Sequence, residues 1–346
     1  MSGAATIRQV VLGPPGHIEV VTANAPQPGS GEVRIRTSVV GVCGTDVHAL
    51  AGKHPFIDLP VVPGHETVGI IDAVGSEVSG FESGQRVLLE PNLVCGECRY
   101  CQSGRYNLCE RLAVVGCQTP GAMAELFIVP ASRLHHVPAS MTDTEASLVE
   151  PLSTATHAVR MAGGDLSGLT VAILGAGTIG LLTLIAAREA QAAAIAVTDM
   201  YESKIQRALR LGARAGFDAG DEHVVERIKE ALGGRPDVIF DCVSSQSSIT
   251  QAIALAGKGG TIVVIGIATG PVQIPLALIQ DQEIRLEGSA MYVKQDVERA
   301  MELMQSGAVP VDEIVTAVYP LEQAPEAFAA AREGDQVKVQ LRVNGD

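Results

Sequence analysis

Runs of Lys or Arg are missing from this 346-residue chain, in which 25 basic residues are scattered against 39 acidic ones for a formal charge of -14. Nucleic acid and anionic membranes both require a concentrated basic surface, so neither is expected as a partner. The start, Met1 to Arg8, has neither the charged opening nor the apolar core of a secretory signal. Two uncharged stretches, 170–187 and 261–280, are long enough to suggest membrane spans. Glycines at 175, 177 and 180 break the first, and Pro271 and Pro275 break the second. Each reads better as a buried strand, a turn and further structure, the signature of a parallel sheet covered on both faces. Internal repeats and low-complexity tracts are also lacking. At 47% hydrophobic and 18% charged residues the composition is that of a globular protein, and the length favours two domains.

The seven cysteines are an odd number, and four of them fall between Cys95 and Cys109. That distribution fits metal binding in a reducing compartment better than a disulfide framework, and a cytoplasmic protein is expected. Cys95, Cys98, Cys101 and Cys109 could close a tetrahedral zinc shell with no open position, as structural sites do. An iron–sulfur cluster or a disulfide pair is chemically possible in the same loop, but the spacing favours zinc. Cys117 and Cys242 stand apart and read as small buried hydrophobes.

A second constellation runs from Gly41 to Glu66. Cys43, His65 and Glu66 are a thiolate, an imidazole and a carboxylate, ligand types that zinc accepts, and three protein ligands leave a position for substrate. Between them Thr45 and His48 place a hydroxyl and an imidazole three residues apart, a spacing suited to moving a proton outward. Taken singly, such residues are more often core or surface than ligands. The surrounding pattern is of short strands and turns: Glu32 to Val39 alternates apolar and polar, and Thr67 to Val74 and Arg86 to Leu89 follow.

From Leu169 the period changes. Thr170 to Leu174 reads as a buried strand, Gly175 to Gly180 as a glycine turn, Leu181 to Ala192 as a helix, and Ala194 to Thr198 as a second strand ending at Asp199. A glycine pattern that follows a strand, opens a helix and is answered by an acid is the dinucleotide fingerprint in its proper context. Gly175 permits the turn, Gly177 lets the backbone approach a pyrophosphate, and Gly180 lets helix and strand pack. Thr178 and Ile179 open the helix, and Lys204 completes the candidate cofactor set. Asp199 can bind both ribose hydroxyls and would repel a 2′-phosphate, so NAD is favoured over NADP. Strands and helices keep alternating to the end, with helices expected at 222–232, 291–306 and 323–333 and a last strand from Val337 to Val343.

Cys43-Gly-Thr-Asp-Val-His48, Gly64-His65-Glu66, the four-cysteine loop, Glu150-Pro151 and the glycine turn, in this order over nearly the whole chain, together resemble the zinc-dependent medium-chain dehydrogenases. Glu150-Pro151-Leu152 with His157 looks like the polyol and sorbitol branch, and Gly288-Ser289 with Tyr292 like the butanediol branch. The resemblance implies an α/β chain with a doubly wound Rossmann parallel-sheet domain at 153–289. It also implies a GroES-like, mostly β catalytic domain from 1–152 together with 290–346. By residue it implies Cys43, His65, Glu66 and Glu150 at a catalytic zinc, Glu150 directly or through water, and Thr45 and His48 as the proton relay. Cys95, Cys98, Cys101 and Cys109 match the structural zinc, making two zinc ions per subunit. The implied activity is oxidation of a secondary alcohol of a polyol or vicinal diol to a ketone with NAD⁺, by a homotetramer or failing that a homodimer. An L-threonine dehydrogenase-like oxidation of a 3-hydroxy acid shares the same sites, and a non-catalytic NAD-binding protein on the same scaffold is the alternative from another class. Two departures fall on the substrate pocket: Gly121-Ala122-Met123 replaces the aromatic turn before Ala124-Glu125, and the chain has no Trp.

Overall fold

The computed structural model describes residues 5–344 and divides the chain into two compact units, one running to Glu150 and resuming at Val315, the other from Pro151 to Ile314.

In the first unit a seven-stranded sheet is organised on the long strand Glu32–Val42. Its first half buries Val33 and Ile35 and leaves Arg34 and Arg36 less covered, the alternation of a strand with one wet face. From Thr37 to Val42 both faces are buried, because neighbours now cover each side. The C-terminal strand Lys338–Arg342 pairs antiparallel on one edge, with Val339 opposite Val42. The strand Glu66–Val74 pairs on the other, with Glu66 opposite Gly41. The apolar core that results draws on Val10 and Val40 from early in the chain and on Phe328 and Leu341 from its end.

The second unit is a six-stranded sheet in which every pairing is parallel. Counting its strands along the chain from Thr170–Leu174 to Arg285–Gly288, the order across the sheet is third, second, first, fourth, fifth, sixth. The order reverses direction beside the first strand, the switch point at which doubly wound sheets open a crevice at the strands' carboxyl ends. Val171, Ala172 and Ile173 are all buried, as a strand covered on both faces requires. The uncharged stretch 170–187 is thus strand, turn and helix, and no helix among the described residues is long and apolar enough to cross a membrane.

One expected boundary moves. The return to the first unit falls at Val315 rather than near 290, because the helix Lys294–Gln305 is tied into the second unit. Its Asp296 accepts from Arg160 Nε at 2.7 Å and lies 2.9 Å from His157 Nδ1, so His157 serves here as a buried structural partner. Ahead of the unit boundary, Thr142 caps a single turn, Asp143–Ala146, and Val149–Met161 then starts with Pro151 in its first turn, where a missing N–H costs nothing.

Burial alone would raise the Asp296 carboxyl, but Arg160 and His157 hold it down at about 2. A carboxylate depressed below its unfolded value stabilises the fold above about pH 4, and that contribution is lost as pH falls through 2. Asp296→Asn is therefore expected to lower the stability of the second unit by about 2 kcal/mol at pH 7, with the difference from wild type roughly halved near pH 3, as measured by urea unfolding across that range.

Candidate functional site

Cys43 directly follows the long central strand and is the N-cap of the helix Gly44–Leu50, whose third residue, Asp46, accepts the Cys43 N–H through Oδ2 at 2.9 Å. This reciprocal turn fixes where the thiol points. His65 and Glu66 stand at the start of the neighbouring strand, so pairing of the two strands brings the three side chains together. The candidate ligand atoms of Cys43, His65 and Glu66 all lie within 4.8 Å of one another. Glu150 is buried but stands outside that trio, and its charge acts on Lys338.

The trio sits on a fully buried ion pair. Glu66 lies beneath Gly41, where a Cβ would overlap Glu66 Oε2, and the carboxylate reaches across to Lys338. Lys338 Nζ donates to both carboxylate oxygens, at 2.7 and 2.6 Å, and to the Val42 carbonyl at 3.1 Å. Burial alone would lower the Lys338 pKa, but Glu66 and Cys43 raise it above its ordinary value. Neither sequence periodicity nor motif pointed to Lys338, because it lies 272 residues from its partner. Cys117, expected to be an isolated buried thiol, is buried and adds to the effects that raise the His65 pKa.

The electrostatics are those of a cluster that favours a cation. Burial pushes the Cys43 thiol up, with Glu66 adding to the effect. Against the burial that disfavours its charge, Cys43 and Asp46 hold the His65 imidazolium well above the ordinary histidine range. His65 Nδ1 and Asp46 Oδ1, 3.9 Å apart, are both buried without a hydrogen-bond partner. A soft thiolate, an imidazole and an ion-paired carboxylate around such orphaned atoms fit zinc. Thr45 is half-buried and His48 exposed one helical turn on, so the pair runs from the cluster toward solvent.

The four-cysteine loop forms a second cluster with ligand sulfurs within 4.8 Å of one another. All seven cysteines are free, and Cys98 Sγ to Cys101 Sγ is 3.6 Å, too long for a disulfide. Backbone N–H groups of Cys98, Cys95 and Arg111 point at the sulfurs of Cys95 and Cys109 at 3.2 to 3.4 Å. Those from Glu97 and Cys98 hold the Cys95 thiol down at about 6, whereas burial and Cys98 push Cys101 up to about 12. Four sulfurs with amide donors behind them fit a closed tetrahedral shell.

In the second unit the glycine turn joins the strand Thr170–Leu174 to the helix Thr178–Glu189. Gly175 has φ +94°, which side chains rarely adopt, and a Cβ on Gly180 would overlap the Gly175 carbonyl oxygen. Gly177 is the helix N-cap, with Thr178 and Ile179 half-buried behind it. Asp199 closes the next strand: its Oδ2 accepts the Ala176 N–H at 2.7 Å and its Oδ1 the Tyr201 N–H at 3.0 Å. The acid is thereby tied to the turn itself. Lys204 buries its stem and places Nζ 5.1 Å from the Tyr201 ring centroid.

Comparison with known proteins agrees with this arrangement. Residues 29–139 match the alcohol dehydrogenase GroES-like domain, and residues 178–306 the zinc-binding dehydrogenase domain. Sorbitol dehydrogenase of Ovis aries is 32% identical over 98% of this chain and 97% of its own. A zinc-binding dehydrogenase from Sinorhizobium meliloti 1021, solved bound to NADP, superposes with a TM-score of 0.91 at 33% identity, over 98% of this chain and 100% of its own. The 2R,3R-butanediol dehydrogenase of Bacillus subtilis superposes with a TM-score of 0.89 at 28% identity, over 98% and 100%.

The buried pair gives a direct test. Lys338→Met strands the Glu66 carboxylate and is expected to cost about 3 to 5 kcal/mol of stability, whereas Lys338→Met combined with Glu66→Gln recovers most of it. Denaturant titration of the three variants checks this; an additive double mutant would remove the coupling.

Proposed function

Because the chain belongs to the zinc-dependent medium-chain dehydrogenases, in their sorbitol dehydrogenase-like branch, we propose that it oxidises a secondary alcohol of a polyol or vicinal diol to the ketone with NAD⁺. The observation that carries this reading is the Cys43, His65 and Glu66 trio seated on Lys338, beside a helix that carries Thr45 and His48. Cys43 and His65 are the residues proposed to hold the catalytic metal. Glu66 contributes as a further ligand, its charge shared with Lys338, and Glu150 acts directly or through water. Cys95, Cys98, Cys101 and Cys109 hold the second, structural zinc. When bound, zinc supplies Lewis-acid polarisation of the alcohol, a lowering of its pKa by about nine units worth about 12 kcal/mol, and NAD⁺ supplies the hydride acceptor.

The chain's own residues handle the proton and the cofactor's position. Thr45 Oγ1 accepts the alcohol proton as it gives up its own along the relay, and the exposed His48 imidazole releases a proton to water. Gly175, Gly177 and Gly180 bring backbone amides of the turn and the helix N-terminus, Thr178 and Ile179 with it, against the pyrophosphate. Asp199, already held by the Ala176 and Tyr201 amides, presents a fixed negative charge to the ribose, which supports NAD rather than NADP. Lys204 lies just beyond it on the following helix. The free cysteines fit a cytoplasmic location.

A homotetramer, or a homodimer, is the proposed assembly. The edge strand Arg285–Gly288 leaves one side of the parallel sheet unpaired, and Leu276 beside it in sequence is 68% exposed. An open edge with apolar neighbours is suited to a second copy. Sedimentation is expected to give two or four copies of the 36.0 kDa chain, and Leu276→Asp to shift the distribution toward monomer. A monomeric wild type would overturn the assembly.

The mechanism is tested by NADH formation from sorbitol, xylitol and 2,3-butanediol. Cys43→Ser is expected to abolish turnover while NADH binding, followed by fluorescence, stays nearly unchanged. His48→Ala is expected to slow turnover roughly tenfold at low pH and little at high pH, since release of a proton to acidic water is where the relay helps most. Near-normal turnover in Cys43→Ser removes zinc from the mechanism, and a pH-independent loss in His48→Ala removes the relay.

A further inference from the structure

His54 lies in the loop that follows the helix Gly44–Leu50, close enough to His48 and His65 for their charges to bear on it. Its Nδ1 accepts the Phe56 N–H at 3.2 Å and therefore carries no proton. Burial, reinforced by those two histidines, lowers its pKa, so the ring is neutral and its one proton sits on Nε2. That nitrogen is buried and has no hydrogen-bond partner. The bond to Phe56 N–H holds one side of the ring, and the Phe56 ring lies edge-on to it at 6.0 Å between centroids.

A buried N–H donor is costly to leave unmatched. No acceptor among the described residues reaches Nε2, so the acceptor it suits is an oxygen brought from outside. We propose that His54 is a specificity-determining residue whose Nε2–H donates to the second hydroxyl of the substrate, the one that is not oxidised. This rests on the diol reading above and narrows it: the loop selects alcohols with an oxygen on the carbon next to the reacting one. A site built to hydrogen-bond a substrate hydroxyl discriminates against the analogue that lacks it, because the protein group is then left bare.

The test compares 2,3-butanediol with 2-butanol, which lacks the second hydroxyl, on the zinc- and NAD⁺-loaded enzyme. H54F keeps a ring and removes the donor, and it is expected to lower kcat/KM for the diol about tenfold while 2-butanol changes less than about twofold. H54Q, which restores a donor, is expected to recover part of the loss. An equal loss on both alcohols, or none on the diol, overturns the inference. A larger loss on 3-hydroxybutyrate than on the diol assigns the donor to a carboxylate and overturns it as well. Calorimetry on wild type loaded with zinc and NADH, where no turnover occurs, gives a second readout that needs no variant. The diol is expected to bind about tenfold more tightly than 2-butanol, and equal affinities overturn the inference. Failure of wild type to oxidise either alcohol, with diol binding still favoured, would instead strike the proposed reaction and leave His54 as the hydroxyl contact.

Discussion

One buried charge pair organises the catalytic unit. Lys338 and Glu66 are each about 2% exposed, and neither could be taken out of water without the other. Their meeting dictates the rest. Gly41 must lack a side chain to let the carboxylate through, and the strand Glu32–Val42 must be central so that its two neighbours can reach each other over it. Val42 must offer its carbonyl, which places Cys43 at the next position in the chain. What looks like a metal cluster from the solvent side is, from below, the end of a hydrogen-bonded stack that starts in the sheet.

The dinucleotide unit relies on a different economy of space. Its turn is crowded by backbone rather than by charge: no Cβ fits at Gly180, and Gly175 takes a backbone angle that side chains avoid. Asp199 does two things at once there. By accepting the Ala176 amide it braces the turn, and it is the acid proposed to meet the ribose. The position of Asp199 is therefore set by the backbone amides of the turn and of Tyr201.

Much of this could be read from residues alone, for a physical reason. Metal clusters and glycine turns are local in sequence: Cys95 to Cys109 share one loop, and Gly175 to Gly180 share one strand-to-helix junction. Strand Thr170–Leu174 was legible because burial on both faces leaves an unbroken apolar run. Lys338 was not legible, since a lone lysine in a late strand looks like any surface residue until pairing places it opposite the first turn of the site. His54 was hidden similarly, its role depending on a single amide two residues away. The membership of 290–314 was misjudged because the tie between Asp296 and Arg160 spans 136 residues and leaves no periodic trace.

The pairing of Lys338–Arg342 with Glu32–Val42 has a consequence for how the protein is made. During synthesis the central strand, Cys43, His65 and Glu66 leave the ribosome well before Lys338, which follows Glu66 by 272 residues. The intervening Pro151–Ile314 has its own core, from Ala172 to Ile284, and is long enough to fold before the first unit is whole. Until the final strand docks, Glu66 has no buried counter-charge and the sheet has an open edge beside Val42. A nascent chain from which Lys338 has not yet emerged would thus hold the thiol and imidazole of the cluster on an unfinished edge, and Glu66 gains its buried counter-charge only when that strand docks.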